Sequence, residues 1–312
     1  VIVKRNFDPQ KVISYVWQQL LFALLWAIAV YVAYVVLGLS IVSAPLGVLS
    51  VLGTALSIFL AFRNNTSFSR WGEASQAWTA IISASRTFSR LIITFVDSHQ
   101  HTPQYRAEVA DTFKHEMVYR HLAWVHALRM QLRNQMDVNE LSPYLASTEL
   151  AQLRQANSIP GALLLTQGKR IYQAMANGTL QGFDSFQLEG QLAVLSAQQA
   201  VCERIKQIPV PRQYDYFTRV FVWLFIGLTP LCLVSTLARE GVGYLLAPLS
   251  LLFAFVFAIV QRTGEVNEQP FENRITDVPL NAMCRTIERN AREMLGETDL
   301  PPQLQPKDGY LW

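Results

Sequence analysis

The chain has 312 residues, 51% of them hydrophobic and 16% charged, which leaves more apolar surface than one water-soluble domain of that size buries. A formal net charge of +3 excludes a nucleic-acid-binding role, because that needs clustered Lys and Arg rather than a slight surplus. Cys202, Cys232 and Cys284 lie far apart without CxxC or Cys/His ligand spacing, so they read as buried thiols, with no disulfide framework or structural zinc site, and no cofactor is expected.

In chain order, Lys4, Arg5 and Lys11 precede an apolar stretch too long for a cleavable signal, so that stretch is expected to stay in the mature protein. A membrane-crossing helix needs about 20 mostly apolar residues to span a hydrocarbon core of roughly 30 Å. Four stretches qualify: 20–39, then 45–62 after a short turn, then 220–237 and 244–260. Each pair reads as a helical hairpin. Between them, residues 63–216 keep helical apolar spacing, as in Trp78, Ile81, Ile82 and Ser85 or Leu122, Val125 and Leu128, and predict an α-helical cytoplasmic domain. Pro143, Pro160–Gly161 and Asn177–Gly178 mark helix boundaries inside it, and Pro209 and Pro211 mark the return to the membrane. The tail after Glu297, with Pro301, Pro302 and Pro306, is expected to be extended along another surface or disordered. The predicted organisation is therefore 1–62 with the first hairpin, 63–216 cytoplasmic, 217–262 with the second hairpin, and 263–312 as a cytoplasmic helix and tail.

Short loops decide orientation through retained Lys and Arg. Lys4, Arg5 and Lys11 precede the first span, Arg63 and Arg70 follow the second, Arg212 and Arg219 precede the third, and Arg262 and Arg274 follow the fourth. The other turns hold only Arg239 and Glu240. Both termini are thus expected in the cytoplasm of a multi-pass protein of the bacterial inner (plasma) membrane.

The second span differs from an ordinary lipid-facing helix, since it interleaves Gly47, Ser50, Gly53, Thr54, Ala55, Ser57 and Ala61. Such residues either let helices pack closely or line a narrow wet path. Thr54, Ile58 and Phe62 fall at i, i+4 and i+8, on one helical face. Several copies around an axis would stack them as rings, and apolar rings stop ions by excluding water.

Residues 53–62, GTALSIFLAF, running into 63–71, RNNTSFSRW, are similar to the second helix of bacterial bestrophin homologues. Glu73, Ala74 and Trp78 extend the likeness, 202–211 (CERIKQIPVP) resembles the segment leading into the third span, and 269–280 (QPFENRITDVPL) resembles the stretch after the fourth. The resemblance implies an all-α integral membrane protein, four transmembrane helices per subunit plus a helical cytoplasmic vestibule, assembled as a homopentamer around one pore. It places the pore neck on Thr54, Ile58 and Phe62 and the cytosolic aperture on Ile205. Thr54 departs from the family's apolar pattern, so the tighter barrier is expected at Ile58 and Phe62. Glu272, Asn273, Arg274, Ile275, Thr276 and Asp277 stand where eukaryotic bestrophins carry an acidic calcium-binding run. Arg274 replaces a carboxylate that a hard cation requires, so no calcium activation is expected.

Ion choice rests on mixed hints. Phe62 edges suit an anion, Thr54 hydroxyl oxygens suit a cation, and likeness to bacterial relatives tips the reading slightly toward sodium over chloride. The five histidines, His99, His101, His115, His121 and His126, lack metal-ligand spacing. Trp71, Trp78 and Trp124 read as packing residues, and Arg86 and Arg90 as ion pairs on a solvated face. No nucleophile-base pair, carboxylate pair or metal motif suggests an enzyme. A secondary transporter is the nearest rival, but it normally needs ionisable groups at the bilayer midplane, and the four spans hold none. A non-conducting membrane scaffold is the other. The expected partners are further copies of the chain, the lipid bilayer and small monovalent ions.

Overall fold

The computed structural model describes residues 1–4, 8–103 and 105–311, so Arg5 lies outside the described residues. Among them are nine α-helices: α1 (Pro9–Tyr31), α2 (Leu46–Ser98), α3 (Ala107–Leu132), α4 (Ser147–Leu153), α5 (Ile159–Ala176), α6 (Asp184–Gln207), α7 (Arg212–Arg239), α8 (Leu246–Asn267) and α9 (Leu280–Met294). Extended pairing among these residues is limited to isolated bridges from Tyr310 to Ile2 and to Lys307.

The chain divides into a span unit, Lys4–Trp71 with Pro209–Gln269, and a helical unit, Val1–Val3, Gly72–Ile208 and Pro270–Trp312. In the span unit, α1 begins where Asp8 Oδ1 accepts from Gln10 N at 3.0 Å and Pro9 fills the first turn. It ends in a π-helical turn, Val32–Val36, before Gly38 at φ +69°, a conformation open to glycine at little cost. A short 3₁₀ turn, Ser40–Val42, leads to α2.

Each apolar stretch seen in the sequence lies mostly within a helix that runs beyond it at one end or both: α1 begins at Pro9, α2 continues to Ser98, α7 covers Arg212–Arg239 and α8 ends at Asn267. Among the described residues, four helical segments are long and apolar enough to cross a membrane: Pro9–Val36, Ser40–Ser98, Arg212–Arg239 and Gly243–Asn267. Helix α2 is the extreme case. No proline occurs between Leu46 and Ser98, so its 53 residues run on for about 80 Å at 1.5 Å per residue, and its residues from Gly72 onward belong to the helical unit.

The span unit packs around Leu49, Leu56 and Leu60 of α2, Val222, Phe225 and Ile226 of α7, Ala23 of α1 and Ala254 of α8. Two glycines set the closest approaches. A Cβ on Gly53 would stand 3.0 Å from the Phe225 ring, and one on Gly264 would stand 2.1 Å from Asn64 Oδ1. Asn64 in turn donates Nδ2 to the Val260 carbonyl at 3.1 Å, tying α2 to α8. Pro230 sits inside α7, where its missing N–H frees a carbonyl one turn earlier. Nearby, Gly227 O accepts from Trp26 Nε1 at 2.9 Å and Leu231 O accepts from Ala44 N at 3.0 Å, and α7 is continuous through the proline.

The helical unit is built on α3, whose residues Met117, Val118 and 120–125 are all buried. It packs on α5, α6 and α9. Trp78 and Trp124 are fully buried, as expected, and Trp124 donates Nε1 to Gln199 Oε1 at 3.0 Å. Arg120, 5% exposed, is held by Glu149 and Glu116 at 2.8 and 2.9 Å. Helix α5 starts with Ser158 capping Gly161 N at 3.3 Å and Pro160 in its first turn, and it ends at Asn177 before Gly178 at φ +79°. Helix α7 of the span unit starts after Pro211. The tail is extended and tied down: Val3 N donates to Gly309 O and Leu311 N to Val1 O, both at 2.9 Å, and Tyr310 is buried. Arg86 and Arg90 are exposed but have no ion-pair partner among the described residues, which corrects the paired reading.

Candidate functional site

Helix α2 has two faces between Leu49 and Ser67. Leu49, Leu56, Leu60, Arg63 and Ser67 are buried. Ser50, Val51, Thr54, Ala55, Ser57, Ile58, Ala61, Phe62, Asn65 and Thr66 are exposed. An exposed face on a membrane helix normally meets lipid and is apolar, as on α1, where Leu21, Phe22, Leu25 and Ile28 are open. The open face of α2 instead carries hydroxyls and small side chains. The two readings of its small residues therefore divide: Gly53 serves close packing against Phe225, whereas Ser50, Thr54, Ser57 and Ala61 lie on the open side.

Thr54, Ile58 and Phe62 are brought onto this open face together, with Ile58 54% and Phe62 71% exposed. The hydroxyls beside them are satisfied within the helix. Thr54 Oγ1 donates to Ser50 O at 2.9 Å and Ser57 Oγ to Gly53 O at 2.7 Å, so what they present outward is oxygen lone pairs.

The charges near this stretch turn the other way. Arg63, 6% exposed, pairs with Asp215 and lies 3.7 Å from Glu268 Oε2. Arg70 donates Nε to the Glu268 carbonyl at 2.8 Å. In the helical unit, Glu73 pairs with Arg204, and Glu203 accepts from Gln131 and Gln199 at 2.8 and 2.9 Å. Most of the charges adjoining the second span and the CERIK segment are thus engaged inside their own unit.

The resemblance places the cytosolic aperture on Ile205. In a single copy of the chain that residue lies in α6 at 2% exposure. The exposed apolar residue of that segment is Ile208, 60% exposed at the end of α6 before Pro209.

The 270–279 turn is closed by its own bonds. Val278 N donates to Pro270 O at 3.1 Å, Arg274 N to Asp277 Oδ2 at 3.1 Å, and Lys206 pairs with Glu272 at 2.6 Å. Burial raises the Asp277 carboxyl above the usual range, which favours its neutral form. Among the described residues no group of three or more His, Cys, Asp or Glu is placed to hold a metal ion. The histidines have other surroundings: His99 meets Asp184 at 2.7 Å, and His126 shares the Tyr144 hydroxyl with Glu288. Burial pushes the Cys202 and Cys284 thiols up to about 12, which leaves them unreactive.

Four helical segments among the described residues that are long and apolar enough to cross a membrane, one of them with hydroxyl and small side chains on its exposed face, mark an integral membrane protein. A family model described as bacterial/fungal bestrophin protein matches residues 7–293, and the chain belongs to that family. It is 32% identical over 302 residues to the voltage-dependent anion channel-forming protein YneE of Escherichia coli (strain K12), covering 96% of this chain and 93% of that protein. It is 29% identical over 274 residues to the voltage-dependent anion channel-forming protein RSc3414 of Ralstonia nicotianae, covering 88% and 84%. A crystal structure of a bacterial bestrophin homolog from Klebsiella pneumoniae superposes with a TM-score of 0.79 at 28% identity, over 89% of this chain and 98% of that one. The family places the chain among ion channels rather than enzymes.

Proposed function

We propose that several copies of this chain surround an axis lined by the open face of α2, and that small monovalent ions pass along it through a neck formed by Thr54, Ile58 and Phe62. One observation carries the reading: at membrane depth α2 bares Ser50, Thr54, Ser57, Ile58 and Phe62 while its opposite face fills the core of the span unit. Hydroxyls that no other helix of the chain covers are better matched to water than to lipid. The proposed copy number, five, comes from the family resemblance, as does the arrangement of the spans in two hairpins. A second constriction is proposed at Ile205 by the family resemblance, with the exposed Ile208 three residues on as a neighbouring apolar side chain. The proposed orientation, termini and helical unit in the cytoplasm of a bacterial inner membrane, rests on Arg63, Arg70, Arg212, Arg219 and Arg262 gathering at the same ends of the spans.

The conducted ion is proposed to be an anion. The relatives' names, anion channel-forming protein, lean against the sodium preference that the sequence reading favoured, and exposed Phe62 offers the positive edge of its ring to a negative ion. A cation reading keeps one specific support, the Thr54 hydroxyl whose proton is bound to Ser50 O and which therefore presents an acceptor. Reversal potential in a NaCl gradient across a reconstituted bilayer decides between them. A chloride-side reversal upholds the anion reading and a sodium-side reversal replaces it. Absence of current from intact oligomers would remove the channel reading in favour of a scaffold.

A further inference from the structure

Beside the start of α7 and the end of α8, a cleft of about 380 Å³ opens between α1, α7 and α8. Tyr15 and Gln18 of α1, Arg219 and Trp223 of α7, and Arg262 and Glu265 of α8 form the part of its wall that matters here. The residues are those of a membrane boundary, aromatic rings and guanidinium groups together. Arg262 stands over the Tyr15 ring, 5.8 Å from its centroid, and its Nη1 meets Glu265 Oε2 at 2.8 Å. Its Nε is buried without a hydrogen-bond partner. Arg219 gives Nη2 to Asp215 Oδ2 at 2.8 Å, and its side chain is 54% exposed. Asp215 is shared with Arg63, so it balances Arg219 only in part.

Each guanidinium thus uses one edge on a carboxylate of its own chain and keeps further donors for another acceptor. An oxyanion with several acceptor oxygens is the natural complement to two such forks. Above the cleft runs an apolar track. Trp223 meets Phe22 edge to face at 5.2 Å, and Phe22, Leu21 and Leu25 are exposed along α1. A ligand that fits both parts has a charged phosphate end and a long hydrocarbon end.

We propose that this cleft binds the headgroup of a membrane phospholipid, its phosphodiester held by Arg219 and Arg262 and its acyl chains lying along the open side of α1. The site lies on the opposite account from conduction: it requires the chain to sit in a bilayer, and it stands whether or not the pore passes ions. Free phosphate shares the same oxyanion chemistry but lacks the chains, so the two sources separate experimentally.

The test is native mass spectrometry of the full chain, purified in detergent and mixed with dioleoylphosphatidylglycerol or dioleoylphosphatidylethanolamine. The expected result is retention of one lipid per chain by the parent, with affinity at least about tenfold lower in Arg219→Gln/Arg262→Gln, the loss expected when two charge-assisted contacts go. Should the double variant fail to assemble, Arg219→Gln alone, at a half-exposed position, is expected to weaken retention several-fold. Equal retention by parent and variants would show unspecific surrounding lipid and overturn the proposal. So would inorganic phosphate at millimolar concentration displacing the lipid.

Discussion

Ile58 and Phe62 differ from Thr54 in what they offer water. A neck holds ions back by making wetting unfavourable, and in the proposed neck the two apolar side chains, both more than half exposed, would dominate that barrier. Single-channel conductance is expected to rise several-fold in Phe62→Ala and Ile58→Ala and to change little in Thr54→Ala; unchanged currents in both apolar variants would remove the neck from these positions. Gly264 supports a second expectation. A methyl there would collide with Asn64 Oδ1, and Asn64 can withdraw only by giving up its bond to Val260 O. Gly264→Ala should therefore destabilise the span unit by about 1–3 kcal/mol, the usual cost of overpacking. Thermal melting of the double variant with Asn64→Ala should show less than the sum of the two single losses, because the second change removes the obstacle made by the first.

At the scale of elements, α3 carries two histidines whose ionisation opposes folding. Burial holds His121, between Phe88 and Trp124, at about 3. Burial, and then Arg129 and Arg285, hold His126 at about 3 as well, despite Glu288 and Tyr144 beside it. Below the ordinary histidine value of about 6.5 the unfolded chain takes up these protons and the folded chain does not. Stability is therefore expected to fall as pH drops from that value toward 3, by up to about 1.4 kcal/mol per pH unit for each histidine. Melting curves at pH 7 and pH 5 should converge when His121→Phe and His126→Asn are combined.

The elements also show what the sequence could convey. Charge-free apolar runs located all four spans, because bilayer thickness imposes a length that few other segments meet. Proline and glycine marked the ends of α5 and the start of α7, since both act on the local backbone. The ends of α1 and α2 were less legible. A helix continues through polar residues when nothing breaks it, so α2 passed Phe62 without a signal, and the apolar periodicity of 63–98 read as a new domain. Register on α2 was readable from spacing alone, whereas the burial of Ile205 within one copy was not, because which residues of α6 are covered depends on packing partners far along the chain. The partners of Arg63, Asp215 and Glu268, were hidden for the same reason.

For the whole molecule, the closed turn at 270–279 bears on regulation. With Glu272 committed to Lys206 and the Asp277 carboxyl raised by burial, the turn presents no set of charged oxygens resembling a six- to eight-oxygen calcium shell. Currents through the reconstituted protein are expected to be the same with micromolar free calcium as with chelator, and a steep rise would show a site of different composition. The two units also differ in their response to acid. Both hold ion pairs, Arg63 with Asp215 and Glu268 in the span unit and Arg120 with Glu116 and Glu149 in the helical unit, but the buried His121 and the mostly buried His126 belong to the helical unit, so acid is expected to act chiefly on the latter.

The open arc of α2 has a further meaning. Successive residues stand about 100° apart around a helix, which sets Val51, Ile58 and Phe62 toward one margin of the arc and Ser50, Ser57 and Ala61 toward the other. A swivel of each copy about its own long axis by roughly 60° to 100° would withdraw the bulky margin and turn the small hydroxyl-bearing one inward. On the proposed pore reading, the helix would offer the linings of a dry passage and a wet one side by side, and a twist would exchange them without breaking a single backbone hydrogen bond.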